Sequence, residues 1–137
     1  MAAPVDAIRD VPLFADLDDD ELGDVARLFK QRTFAAGETV AKEGSGGAAF
    51  YLIESGTAVV TVSGRECPAL GPGDYFGEIA LIDEGARSAT ITAQEPLVCQ
   101  GLTYWDFRPL VMENAAICWK LLQFMVGRLR TAEARAG

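Results

Sequence analysis

Between Thr33 and Leu102 the chain breaks into short β-rich runs, most of them marked off by glycine: TVAKEG, AFYLIESG, TAVVTVSG, PALGPGDYFGE, SATITA and PLVCQGLT. Strands repeating every ~8–12 residues with glycine turns leave a sandwich or a barrel as the architecture. Most of the 14 glycines fall in this stretch, where positive φ angles and close backbone approach are needed. AFYLI is continuously apolar, as a strand covered on both faces is, whereas TAVVTVSG partly alternates. A length of 137 residues has room for one such domain.

Helical spacing flanks the β-rich stretch. In DLDDDELGDVARLFK, residues Leu22, Val25, Ala26, Leu28 and Phe29 share one face, and Asp18 or Asp19 can act as N-cap. The acids Asp18, Asp19, Asp20 and Glu21 suit the positive end of a helix dipole. After Leu102, TYWDFRPLVMEN carries Trp105, Phe107, Leu110, Val111 and Met112 around Pro109, which should start or bend a helix. From Asn114 a long helix has a stripe of Ile117, Cys118, Leu121, Leu122, Met125 and Leu129, with Trp119, Phe124 and Val126 off it. Two apolar faces leave two readings open: packing on both sides, or one face on the barrel and the other on a ligand or a second chain.

Composition excludes much chemistry. There is no histidine, so His triads, His general bases and almost every catalytic zinc site are ruled out. The expectation is a non-enzyme without cofactor or metal. Cys67, Cys99 and Cys118 are odd in number and widely spaced, and read as reduced thiols of a cytoplasmic protein. MAAPVDAIRDV has neither a basic start nor an apolar run, and no stretch reaches the ~18 apolar residues of a membrane span. A net charge of −8 repels a phosphate backbone, so direct nucleic-acid binding is not expected.

The densest motif is GPGDYFGEIALIDEGARSATIT, residues 71–92. A glycine followed by Glu78, Ile79, Ala80 and Leu81 can form one helical turn whose free N–H groups face an anion. Arg87 follows nine residues after Glu78. A guanidinium beside such donors suits one compact phosphate, Ser88 adds a hydroxyl, and Glu78 can accept from a sugar hydroxyl. A plain Glu78–Arg87 ion pair is the competing reading.

FGEIAL followed by RSAT resembles the phosphate-binding cassette of the cyclic nucleotide-binding domain family, which includes the bacterial catabolite activator and the regulatory subunit of protein kinase A. VPLFADLDDDEL and FAAGETVAKEGSGGAAFYLIESGTAVV extend the likeness over roughly residues 8–130. The resemblance implies a mainly β fold, an eight-stranded antiparallel jelly-roll barrel over about 31–103, with helices at about 5–30 and 104–136, all one domain. It further implies that Glu78 bonds the ribose 2′-hydroxyl and Arg87 the cyclic phosphate. Backbone groups of Gly77, Ile79 and Ala80, with Ser88, complete the cradle, and the last helix supplies a lid from Arg128, Thr131, Ala132 and Arg135. Cyclic AMP is the expected ligand, with cyclic GMP as the alternative. Ala86 stands where the family usually has proline. Occupancy is expected to be transmitted through the C-terminal helices to an unidentified effector protein or a homodimer partner. A degenerate scaffold, or the sensor piece of a larger transcription regulator, are the alternatives. Abundant Ala, Gly and Arg with few Lys point to a high-GC bacterial source.

Overall fold

The computed structural model describes residues 4–44, 49–83 and 89–136. Two short helical segments open the chain, α1 (Val5–Arg9) and a 3-10 turn at Pro12–Phe14, followed by α2 (Asp19–Ala26). Asp18 is the N-cap of α2: its carboxylate accepts from the Glu21 amide at 2.8 Å, and Glu21 accepts from the Asp18 amide at 2.9 Å. This reciprocal pair satisfies two end donors. The helix stops at Ala26, short of the expected periodic run, yet Phe29 still points into the core.

Eight strands follow: β1 (Lys30–Phe34), β2 (Thr39–Ala41), β3 (Ala49–Ser55), β4 (Ala58–Val62), β5 (Arg65–Leu70), β6 (Tyr75–Phe76), β7 (Thr90–Ala93) and β8 (Leu97–Thr103). They form two four-stranded sheets, ordered β1-β8-β3-β6 and β2-β7-β4-β5, with antiparallel pairing throughout. This is the eight-stranded jelly roll flanked by helices that the sequence implied.

Two apolar clusters explain the layering. Ala41, Ile53, Ala58, Ile91, Ala93, Leu97 and Cys99 fill the space between the sheets. Phe50, Leu52 and Leu102, on the other face of the first sheet, join Ile8, Phe14, Leu22, Phe29, Phe107 and Ile117 from the helical segments. β3 is therefore covered on both sides, as AFYLI foretold: Phe50 and Leu52 meet the helices, while Ile53 lies between the sheets. Burial, with Glu54 second, pushes the Cys99 thiol up to about 11, so it stays a protonated packing group. Among the turns, Gly56 cannot be replaced without strain. Its φ is +87°, and a Cβ there would lie 2.3 Å from the Pro96 carbonyl oxygen.

The C-terminal pair is α3 (Tyr104–Glu113) and α4 (Ala115–Ala136). Of the two expectations for Pro109, it does not start α3; it sits inside the helix. Thr103 starts the helix instead, its hydroxyl accepting from the Asp106 amide at 3.0 Å, and buried Phe107 anchors the first turns. The helical donor that proline lacks would serve the carbonyl of Trp105, a residue exposed to solvent, where water can replace it. Asn114 caps α4 by accepting from the Ile117 amide at 3.2 Å.

The stripe on α4 is only half buried as a set. Ile117 and Leu121 enter the core, but Leu122, Met125 and Leu129 are exposed, as are Trp119 and Val126. Lys120 reaches Glu21 on α2 at 2.5 Å and fixes the first half of α4 to the body of the protein. No described helix is long and apolar enough to cross a membrane.

Candidate functional site

The site begins where β6 ends. Gly77 has φ +85°, a conformation that side-chain-bearing residues adopt only at a cost. This lets the chain leave Phe76 and coil immediately into the 3-10 turn Glu78–Leu81. Leu81 is buried in the helix-facing cluster and pins the turn from below. Gly77, Glu78, Ile79 and Ala80 thus form one compact backbone turn, as the sequence indicated. Arg87 and Ser88, the other two cradle residues expected from sequence, lie outside the described residues, and so does Ala86.

Glu78 carries the electrostatics of the turn. One carboxylate oxygen, Oε1, accepts from Arg128 Nη1 of α4 at 3.3 Å. The other, Oε2, is buried and has no hydrogen-bond partner among the described residues. A buried acceptor of this kind is costly until a donor reaches it. Tyr75, at the end of β6, feels the same charges: burial chiefly, then Glu78, raise its pKa, and Arg128 opposes them. Arg128 also lies 5.8 Å from the centre of the Phe124 ring.

Two concavities flank this pair. A cleft of ≈240 Å³ between the cassette turn and α4 is lined by Leu13, Glu78, Ile82, Phe124, Met125 and Arg128. An open groove along α4 is lined by all four expected lid residues, Arg128, Thr131, Ala132 and Arg135, together with Asp16. The lid candidates therefore share one side of α4, and Arg128 is the one brought against the cassette. Sequence reasoning missed the direct Glu78–Arg128 pairing and the roles of Tyr75 and Phe124. Fifty positions separate Glu78 from Arg128, so no local periodicity connects them.

Comparison with known proteins agrees with this geometry. The sequence model described as "Cyclic nucleotide-binding domain" matches residues 31–114, from β1 to the end of α3. The chain is 46% identical over 68 residues to a cGMP-dependent protein kinase of Eimeria tenella, covering 50% of this chain and 7% of that protein. It is 40% identical over 92 residues to a cAMP-dependent protein kinase regulatory subunit of Yarrowia lipolytica, covering 66% of this chain and 24% of that protein. It thus spans a quarter or less of these curated relatives. Among solved structures, the N-terminal domain of a transcriptional regulator from Streptomyces coelicolor superposes with a TM-score of 0.86 at 28% identity, covering 96% of this chain and 95% of that one. With a jelly roll of the right strand order, a glycine-initiated cassette turn and a family match over most of its length, the chain belongs to the cyclic nucleotide-binding domain family.

Proposed function

We propose that this chain is a cytoplasmic sensor module that binds cyclic AMP and performs no bond-breaking chemistry. The observation that carries the reading is Glu78: an anionic side chain held by the cassette turn, one oxygen buried without a donor among the described residues. A ribose 2′-hydroxyl supplies that donor. In this reading the backbone of Gly77, Ile79 and Ala80, with Arg87 and Ser88, holds the cyclic phosphate, and Thr131, Ala132 and Arg135 approach the base from the groove side. The kinase relatives divide between cGMP and cAMP in their names, so cyclic GMP is the competing ligand. The likeness to the N-terminal domain of a transcriptional regulator supports a second setting, the sensor part of a larger regulator.

Calorimetric titration of the full chain with cyclic AMP and cyclic GMP tests the proposal. Saturable binding with preference for cyclic AMP is expected. Glu78→Gln should weaken binding by about 1 kcal/mol, because a neutral acceptor replaces a charged one. Absence of binding by the wild type would promote the scaffold reading instead.

The output we propose is a population shift of α4, read by a second copy of the chain. Trp119, Leu122, Val126 and Leu129 recur at intervals of three, four and three, with relative exposures of 62%, 52%, 49% and 58%. That spacing is the seam of a two-helix coiled coil. Sedimentation should give twice the 14.6 kDa of one chain at micromolar concentration, and Leu122→Glu with Leu129→Glu should return it to a monomer. A monomeric wild type would remove self-association from the mechanism.

A further inference from the structure

Asn114 alone separates α3 from α4. A joint of one residue is too short to lay two helices side by side, which takes about 2–5 residues, and a wedge is left between them. That wedge is a cleft of ≈220 Å³. Phe107 and Val111 line it from α3, Leu121 and Leu122 from α4, and Leu81 with Ile82 close it from the cassette turn. Positions three and four apart on a helix share a face, so both helices turn an apolar stripe inward. Its described walls include neither Glu78 nor Arg128, which sets it apart from the nucleotide site, although Ile82 and Met125 border both clefts. On its rim stand Ile82, Met112, Leu122 and Met125, four of the nine large hydrophobic side chains exposed among the described residues, so apolar surface without cover is concentrated here. One charged side chain joins the described walls, Arg108. It is exposed and has no ion pair among the described residues, while the nearby Asp106 is engaged by Lys30 at 3.7 Å.

We propose that this cleft binds a free medium-chain fatty acid, its tail between α3 and α4 and its carboxylate on the Arg108 guanidinium. Volume fixes the length of the tail. An apolar cavity of about 150 Å³ takes up a benzene ring, so a cleft of ≈220 Å³ has room for a chain of roughly eight or nine carbons. Volume also excludes a partner helix, which is about 10–12 Å across with its side chains. Charge fixes the head group. With a net charge of −8 the chain repels an anion at long range, so the carboxylate must sit on a local cation, and the guanidinium fork matches its two oxygens. A single unpaired arginine suits one negative charge. The proposal stands apart from the nucleotide reading and does not rest on it.

Two titrations of the full chain, made without cyclic nucleotide, decide the matter. In the first, hexanoate, octanoate, decanoate and dodecanoate are compared by calorimetry. Binding should saturate at one per chain, tighten roughly two- to fourfold for each added methylene, and stop tightening near decanoate, where the cleft is full. No saturable binding, or affinity that keeps rising through dodecanoate as adsorption to an open surface does, overturns the proposal. In the second, octanoate and its neutral counterpart octan-1-ol are titrated into the wild type, Arg108→Gln and Met112→Glu. Both substituted side chains are exposed, so the fold is kept. Arg108→Gln should weaken octanoate roughly two- to fivefold and leave octan-1-ol unchanged, and Met112→Glu should weaken octanoate more than octan-1-ol. Equal effects on acid and alcohol, or none on either, overturn the assignment of the head group to Arg108. If octanoate does not bind and Met112→Glu instead turns a dimer into a monomer in sedimentation, the cleft seats a second copy of the chain and the proposal falls.

Discussion

Phe50→Ala is expected to lower the stability of the folded chain by about 3–5 kcal/mol, the range for emptying a large aromatic site in a core. Phe50 is fully buried near the start of β3. Its ring meets Phe14 edge-on at 6.1 Å and Phe29 at 6.0 Å, and lies tilted against Tyr75 at 5.8 Å. One side chain therefore joins the opening 3-10 turn, the segment after α2, and the strand that leads into the cassette. Truncation removes all three contacts together, and the rigid sheet cannot collapse to refill the space. Out of a typical total of ~5–15 kcal/mol, such a loss brings the chain close to unfolding at room temperature. Urea denaturation followed by circular dichroism measures it. Exposed Trp105, at 64%, is the internal comparison, where alanine should change stability by no more than about 0.5 kcal/mol. A loss below about 1 kcal/mol at Phe50 would mean that the helical segments and the barrel are not one cooperative core.

What could be read from the sequence follows from how local each signal is. Glycine spacing marked the turns because positive φ is a property of single residues. Asp18 or Asp19 was legible as the N-cap of α2 because capping is a local signal, and the structure selects Asp18 through its reciprocal bonds with Glu21. The cassette turn was legible for the same reason: Gly77 and the residues after it form one contiguous unit. Pro109 left open whether it starts a helix or bends one, and the choice depends on Thr103 and Phe107, which fix the start of α3 before it. The α4 stripe left its two readings open for a related reason. Apolar spacing shows that a face seeks cover, but burial of Ile117 and Leu121 and exposure of Leu122 and Leu129 depend on where α2 and the barrel end. The Glu78–Arg128 pair had no local signal at all, because it exists only once β6 and α4 have been placed side by side.

Arg87→Ala is expected to weaken cyclic nucleotide binding by about 2–5 kcal/mol, the cost of removing one partner from a desolvated charge pair. The charge distribution makes the expectation strict. Residues 71–92 contain Asp74, Glu78, Asp83 and Glu84, and Arg87 is their single base. With a net charge of −8 overall, the chain repels an anion at long range, so a phosphate held by this segment depends on one guanidinium and on backbone donors. Neutralising it leaves the segment with four acids and no base. Arg87→Lys should recover part of the loss, since a point charge keeps the attraction but not the paired donors of the fork. Calorimetry on the three proteins, with unfolding midpoints checked in parallel, separates loss of the site from loss of the fold. If Arg87→Ala binds cyclic AMP as the wild type does, the phosphate must lie elsewhere, and Arg128 and Arg135 on the groove side of α4 become its partners. In that case Arg128→Gln would weaken binding where Arg87→Ala does not, so the two substitutions together decide which arginine meets the phosphate.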